Sequence, residues 1–276
     1  MSATPFDSTH LHRLFPAGDL AKLFSDSAEI RALMIVAGTL AKVQGEAGLI
    51  PETAAKSIHR AALELQIDPA GLAQATAACG NVVPPLLEAF ASLMQAPDYA
   101  QYLGQGARPE DLQDCALALR LRQVLAQFAT SLDGLDGTQD LREELPALRD
   151  ALLCVSLGGE NAEILRPALA EALNLGAQGW GADRRPLRDL ADWGARLVQT
   201  LTAGTPDDAP LAALAVQVGA LSTALGQQSP ENARPAPVQR HLESLTLPQL
   251  LLACGAAMRR AHAFAETAGK TPPVGE

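Results

Sequence analysis

The sequence predicts an all-α protein, and composition and residue spacing carry that prediction. Hydrophobic residues make up 48% of the 276 residues while aromatic residues make up only 4%, so Ala and Leu supply most apolar side chains. These residues favour helices, whereas strands favour β-branched and aromatic side chains. Apolar residues recur at helical spacing along the chain, and alternating apolar and polar runs are nearly absent.

Glycine, proline and capping residues mark where the predicted helices begin and end. Before the centre of the chain, helices are predicted over about residues 19–24, 26–48, 51–65, 69–78 and 84–95. After the centre, they are predicted over about residues 139–156, 161–174, 186–203, 208–228 and 247–266. Residues 229–237 are predicted to form a Pro-rich turn or linker.

The stretch 102–122 leads from a glycine-rich turn into a long central helix. Pro109 suits the first helical position, and Glu110 and Asp111 place negative charge in the first turn, where the helix dipole favours it. Apolar residues then recur on two sides of this helix, which is typical of a helix inside a bundle. We therefore divide the chain into a helical N-terminal domain (1–103), a shortened central helical bundle (104–237) and a C-terminal helix with a loose tail (238–276).

Charge and cysteine usage exclude several classes of protein. The net charge of −10 argues against a general nucleic-acid or anionic-membrane binder. No uninterrupted apolar run reaches about 18 residues, and no basic-then-apolar leader is present, so we expect a soluble cytoplasmic protein. The four cysteines lie far apart without a C-x-x-C pair, which indicates reduced thiols.

The sequence predicts neither a metal site nor a cofactor site. His10-x-His12 is the nearest approach to a metal-binding pair, but it has no Cys or carboxylate partner and is predicted to be solvated. No P-loop or G-x-G-x-x-G motif is present.

Several short segments resemble, in the same order along the chain, the fumarase/aspartase superfamily and above all its 3-carboxy-cis,cis-muconate cycloisomerases. They are Phe24-Ser-Asp26, residues 40–51 (LAKVQGEAGLIP), residues 79–84 (CGNVVP), the stretch 102–122, residues 157–159 (LGG), Trp180 with Arg184, and residues 241–251 (HLESLTLPQLL). The resemblance implies a helical N-terminal domain, a central bundle of long helices and a tetramer whose active sites are shared between subunits. It also implies carboxylate-bearing substrates and proton transfer next to a carboxylate.

The first catalytic motif of this family is altered here. The family reads roughly H-W-G-A-T-S-Q-D, with Thr and Ser hydroxyls at a helix N-terminus holding a substrate carboxylate, as free backbone N–H groups there attract anions. Residues 104–111 read GQGARPED instead, so Arg108 and Pro109 stand at the hydroxyl positions. Arg108 either binds a carboxylate through its planar fork or is a solvated arginine paired with Glu110 or Asp111.

The other two family motifs have no clear counterpart. About 25 residues separate Leu132 from the LGG turn, too few for the helical hairpin that carries the second motif. The third is a mobile G-S-S-x-M-P-x-K-x-N loop with the proton-abstracting serine, but no Met precedes Pro here and no Lys lies between residues 57 and 269. Histidine is absent between His59 and His241, so the central region offers no imidazole acid or base.

These observations predict a cycloisomerase-like protein that has lost the family's catalytic residues and acts in binding or assembly. The alternative is an active cycloisomerase or lyase with rebuilt chemistry on a carboxylate-bearing substrate. Arg108, Arg184 and Arg234 are the candidate carboxylate-binding residues. We expect a homo-oligomer, a dimer through residues 186–203 and 208–228 rather than a tetramer, with a hetero-oligomer with a catalytic relative as a further possibility.

Overall fold

The computed structural model describes residues 4–181, 183–226 and 236–268, and this part of the chain is all-α, as predicted. Its α-helices are α1 (Leu20–Leu23), α2 (Asp26–Glu46), α3 (Glu52–Glu64), α4 (Ala73–Cys79), α5 (Val83–Met94), α6 (Pro97–Ala100), α7 (Pro109–Ser131), α8 (Gln139–Leu152), α9 (Ala162–Leu173), α10 (Arg185–Ala203), α11 (Ala209–Gly226) and α12 (Ala236–Ala268). Short 3-10 turns lie at Pro5–Asp7 and Pro69–Leu72. Among these described residues, the β-type pairing is a single isolated bridge between Cys154 and Gly176.

Most predicted helix boundaries hold because local signals set them. Ser25 caps α2, with its hydroxyl accepting a hydrogen bond from the Ala28 N–H at 3.3 Å. Gly80 follows α4 at φ 73°, a left-handed conformation that favours glycine at a helix end.

The predicted start of the last helix at about residue 247 was wrong, since α12 begins at Ala236 and contains Pro248. The proline removes one backbone hydrogen bond, but Leu247, Leu250 and Leu251 are buried around it. Their packing keeps the helix continuous, because tertiary contacts rather than local propensity supply most of a helix's stability. Residues 229–235 of the predicted linker lie outside the described residues.

One of two compact units combines residues 1–22, 124–149 and 184–276. Within it α10 packs against α11 and α12. Trp193 lies at its centre, fully buried, with its ring stacked on Phe128 at a centroid distance of 6.0 Å. The Trp193 indole N–H donates to the Leu141 carbonyl at 2.9 Å, so this side chain ties three helices together.

The other unit combines residues 23–123 and 150–183. In it α2 packs closely along α3, since a Cβ on Gly38 or Gly45 would lie 2.4 Å from the side chain of Ala62 or Ala55. Its core is continuous from α2 through α5 and α7 to α9. Each unit is therefore built from ranges that lie far apart in the sequence. The division of the chain into three consecutive domains, with boundaries after residues 103 and 237, stays a prediction.

By length and composition alone, α11 passes the test for a membrane-spanning helix, with a mean hydropathy of 1.5. A helix that packs within a soluble protein passes the same test, so one such helix is weak evidence. In its own unit α11 packs against α10 and α12.

The role of Trp193 can be tested by two substitutions. Trp193→Phe keeps an aromatic ring but leaves the buried Leu141 carbonyl without its donor, and we expect a loss of about 1–3 kcal/mol of unfolding free energy. Trp193→Ala also opens a cavity, with an expected loss of about 3–5 kcal/mol. Urea denaturation measures both, and Leu245→Ala, at a residue 66% exposed on α12, is the control with an expected change within about 0.5 kcal/mol.

Candidate functional site

The start of α7 is organised around the buried carboxylate of Asp111, whose side chain is 1% exposed. Its Oδ2 accepts from the backbone N–H of Arg108 at 3.1 Å, which is the reciprocal half of a helix capping box. The same oxygen accepts from the Gly158 N–H at 3.2 Å. The Arg108 guanidinium completes the arrangement through Nε to Oδ2 at 3.1 Å and Nη2 to Oδ1 at 2.8 Å.

These contacts decide the charge state of Asp111. Burial alone would raise the pKa of its carboxyl group, but the hydrogen bonds from Arg108 and Gly158 outweigh burial and hold that pKa below its ordinary value. The same pairing raises the pKa of Arg108. Of the two readings of Arg108 left open by the sequence, the pairing with Asp111 is therefore observed, and its carboxylate-binding role stays a prediction.

The LGG turn packs directly on the loop before α7, backbone against backbone. A Cβ on Gly159 would lie 1.8 Å from the carbonyl oxygen of Gly106, and one on Gly158 would lie 2.5 Å from the Arg108 guanidinium. Gly106 itself has φ 74°, which favours glycine at that position. No larger residue fits at position 159 without moving the main chain, so the sequence of this turn fixes the shape of the site.

A cavity of about 190 Å³ lies against this turn, lined by Arg108, Ser156, Leu157, Gly158, Arg166, Gly179 and Gly181. The Arg166 guanidinium is held in place because Nε and Nη2 both donate to the Leu157 carbonyl, at 3.2 and 2.8 Å. The Nη1 groups of Arg108 and Arg166 have no partner among the described residues. Two oriented guanidinium groups beside a small cavity can bind a carboxylate or another small anion.

Sequence reasoning found Arg108 but missed Arg166 and Ser156. Arg166 lies about one turn into α9, which follows the LGG turn, and only the fold of that turn shows that Arg166 lines the same cavity. The neighbouring Cys115 is not a nucleophile, since burial raises the pKa of its thiol to about 12. Its Sγ instead donates to the Ser156 carbonyl at 3.2 Å. This contact holds the segment before the LGG turn against α7.

The other predicted arginines lie elsewhere. Arg184 belongs to the other unit, where it is buried and forms a bidentate pair with Glu243 through Nε–Oε1 at 3.0 Å and Nη2–Oε2 at 2.5 Å. Gln239 donates to the same carboxylate at 2.9 Å. Arg184 is thus bonded to a carboxylate of its own chain. Arg234 lies outside the described residues, and the carboxylate-binding roles of both stay predictions.

The histidines do not line this cavity. His12 donates through Nδ1–H to the Ser8 carbonyl at 3.0 Å, and His10 contacts the Ser8 hydroxyl through Nδ1 at 3.2 Å. His241 is exposed on α12. Over residues 4–181, 183–226 and 236–268, no group of three or more His, Cys, Asp or Glu side chains is placed to hold a metal ion.

Comparison with known proteins supports the resemblance seen in the sequence. No family model matches the chain. It is 30% identical over 126 residues to 3-carboxy-cis,cis-muconate cycloisomerase of Pseudomonas putida, covering 45% of this chain and 30% of that protein. It is 30% identical over 124 residues to N-acetyl-S-(2-succino)cysteine lyase of Enterococcus italicus, covering 45% of this chain and 27% of the lyase.

The fold extends much further than the sequence match. The structure of 3-carboxy-cis,cis-muconate lactonizing enzyme from Pseudomonas putida superposes with a TM-score of 0.83 over 94% of this chain and 76% of that chain, at 23% identity. The sequence match to the curated relatives spans about a third of their length or less. These findings confirm the resemblance to the fumarase/aspartase superfamily and the all-α fold.

Replacing the buried carboxylate tests the architecture of the site. Asp111→Asn should lower the unfolding free energy by about 1–3 kcal/mol at pH 7, because four N–H donors, three of Arg108 and one of Gly158, lose a charged acceptor. The folded-state pKa of Asp111 is below its ordinary value, so its contribution is present above about pH 4 and is lost as the pH falls through the folded pKa. Urea denaturation at pH 7 and from pH 5 to 3 should show the difference from wild type narrowing in acid.

Glu110→Gln is the matched control for this experiment, since Glu110 is adjacent and only half-buried. We expect it to change stability by no more than about 0.5 kcal/mol. A difference between Asp111→Asn and wild type that stayed constant with pH would contradict the assigned role of the carboxylate.

Proposed function

We propose that this fumarase/aspartase-like chain is a non-catalytic, cycloisomerase-like protein that binds a small carboxylate-bearing molecule and works in binding or assembly. The observation that carries this proposal is the cavity beside Arg108 and Arg166. Its two guanidinium groups suit an anion, while its lining includes no histidine, lysine, aspartate or glutamate. A proton transfer needs a group within hydrogen-bond reach whose pKa suits the operating pH, and these side chains supply none.

The size of the cavity limits the ligand. About 190 Å³ is below the usual range for drug-sized ligands, so the space suits a small di- or tricarboxylate. The cavity lies where the family's carboxylate-holding motif would begin a helix, and there the Asp111 carboxylate already accepts the Arg108 N–H at the helix start and the Gly158 N–H of the LGG turn. A ligand would therefore be held by the guanidinium groups rather than by the helix N-terminus.

The alternative is an active cycloisomerase or lyase with rebuilt chemistry on a carboxylate-bearing substrate. The observation in its favour is Ser156, which brings a hydroxyl group to the same cavity as the two arginines. No base among the lining residues is placed to activate that hydroxyl, and we therefore favour the non-catalytic reading.

We also propose that the chain forms a homodimer through α11. Within its unit, the exposed positions of α10 are polar or charged except at its last residue, Ala203, and they are Arg185, Asp189, Asp192, Arg196 and Gln199. In contrast, α11 contains no charged residue. Val216 of α11 is 75% exposed on a face otherwise made of small residues. Contact between the α11 faces of two copies is two-fold and closes as a dimer, which favours a dimer over a tetramer. A catalytic relative with the same fold is a second possible partner for this face.

Binding and turnover can be separated in one series of experiments. Isothermal titration with fumarate, citrate and 3-carboxy-cis,cis-muconate should show saturable binding of at least one, and 3-carboxy-cis,cis-muconate should remain unconverted. Arg166→Gln should weaken binding roughly 10-fold or more, because a charge-assisted hydrogen bond is lost. Arg149→Gln, at an exposed residue of α8, should leave binding unchanged.

Two outcomes would count against this function. Turnover at about 1 s⁻¹ or faster is an ordinary enzymatic rate and would favour the alternative. Failure of all three carboxylates to bind would remove the binding role, whatever the result of the turnover assay.

The assembly proposal predicts a dimer in light scattering, with a mass that falls on dilution. Val216→Glu places a charge on the apolar face and should give a monomer, because a buried unpaired carboxylate is strongly unfavourable. Ile164→Glu is the matched control, since Ile164 is 64% exposed on α9 in the other unit. A wild-type protein that is monomeric at every concentration would overturn the homodimer.

A further inference from the structure

A second cavity, of about 330 Å³, lies in the unit formed by residues 23–123 and 150–183. It is bordered by α2, α7 and α9 and does not share a lining residue with the cavity at Arg108. Alkyl side chains such as Ile35, Leu119 and Leu173 form much of its wall. Three arginines, Arg31, Arg120 and Arg122, also line it, although the chain as a whole carries a net charge of −10.

Two of these arginines have a structural explanation. Arg31 donates to the carbonyl oxygens of Ala62 at 2.7 Å and Leu63 at 3.2 Å, in the last turn of α3. Arg122 donates through Nη1 to the carbonyls at the end of α9, at 2.8 and 3.2 Å. A cation at a helix C-terminus satisfies unpaired carbonyls and suits the helix dipole. These contacts also fix both guanidinium groups in place.

Arg120 has no comparable explanation. Its side chain is only 12% exposed, and its ion pair with Glu29 is a contact of 3.5 Å from Nη2, at the outer limit of a hydrogen bond. Its Nε is buried without any hydrogen-bond partner. Burial lowers the pKa of this guanidinium, and Glu29 offsets that effect only in part. A buried charge that is so poorly paired is strongly unfavourable unless another anion comes to it.

We propose that this cavity binds a small anion with an apolar body, such as an aliphatic or aromatic monocarboxylate, whose carboxylate is held by Arg120. The alkyl wall accommodates the apolar body, and the preset guanidinium groups of Arg31 and Arg122 add positive potential at the rim of the same space. The Nη donors of Arg120, which the 3.5 Å contact with Glu29 satisfies only weakly, can hold the oxygens of a carboxylate in this cavity. This site is independent of the function proposed above, since it lies at a different cavity and takes a different ligand.

The test uses hexanoate and benzoate as probes, with hexanamide and benzamide as neutral analogues of the same shape and inorganic phosphate as an anion without an apolar body. Isothermal titration of the full chain should show saturable binding of at least one of the two carboxylates. The matching amide should bind at least about 10-fold more weakly because it lacks the negative charge. Phosphate should also bind at least about 10-fold more weakly because it lacks an apolar body to contact the alkyl wall.

Two variants with opposite expected effects assign the binding to Arg120. Arg120→Leu should weaken carboxylate binding at least about 10-fold, while the melting temperature without ligand stays the same or rises because a buried, poorly paired charge has been removed. Glu29→Gln removes the competing carboxylate and should tighten binding up to about 3-fold. This variant alters a partly exposed side chain by one atom, so it keeps the proposal testable if Arg120→Leu does not fold.

Arg60→Gln is the matched control, since Arg60 lies in the same unit on α3 and is 79% exposed, and it should leave binding unchanged. Arg166→Gln distinguishes the two cavities, because it should weaken di- or tricarboxylate binding but not that of hexanoate or benzoate. Failure of both monocarboxylates to bind, equal binding of acid and amide, or full binding by Arg120→Leu would each overturn the proposal.

Discussion

The buried carboxylate of Asp111 connects three parts of its unit that lie far apart in the sequence. It caps the first turn of α7, pairs with the Arg108 guanidinium, and accepts the main-chain N–H of Gly158 in the LGG turn. Each of these groups would otherwise leave a donor or a charge unsatisfied at the edge of the core. Because one side chain satisfies all of them, the glycine turn is held in a fixed position against the start of α7. The cavity lined by Arg108 and Arg166 forms where these two segments meet.

Arginine takes different roles in different parts of this chain, and burial and partners distinguish them. Arg184 is neutralised inside its own unit by a bidentate carboxylate, while Arg31 and Arg122 satisfy helix carbonyls. Arg166 and Arg120 instead line cavities, the first a cavity of about 190 Å³ and the second one of about 330 Å³, and the buried Nε of Arg120 has no hydrogen-bond partner. Residue type alone therefore says little about ligand binding here, and the count of unsatisfied donors says much more.

Local signals in the sequence were enough to predict the fold class and most helices, because caps, glycines and helical periodicity act over a few residues. The same signals failed at Pro248, where packing of distant residues overrides the usual effect of proline. At the site, the pairing of Arg108 with Asp111 is local and was among the predicted alternatives. Arg166 and Arg120 were missed because their environment depends on contacts between α7 and residues about 40 or more positions away.

The main-chain contact between Gly106 and Gly159 has a consequence for recognising other proteins of this kind. A side chain at position 159 has no room beside the Gly106 carbonyl, so any chain that keeps this cavity must carry glycine there. Glycines at 106 and 159, an aspartate at 111 and an arginine at 166 form a signature spread over about 60 residues. Such a signature follows the shape of the cavity rather than the reaction, and it would group catalytic and non-catalytic chains that share one architecture.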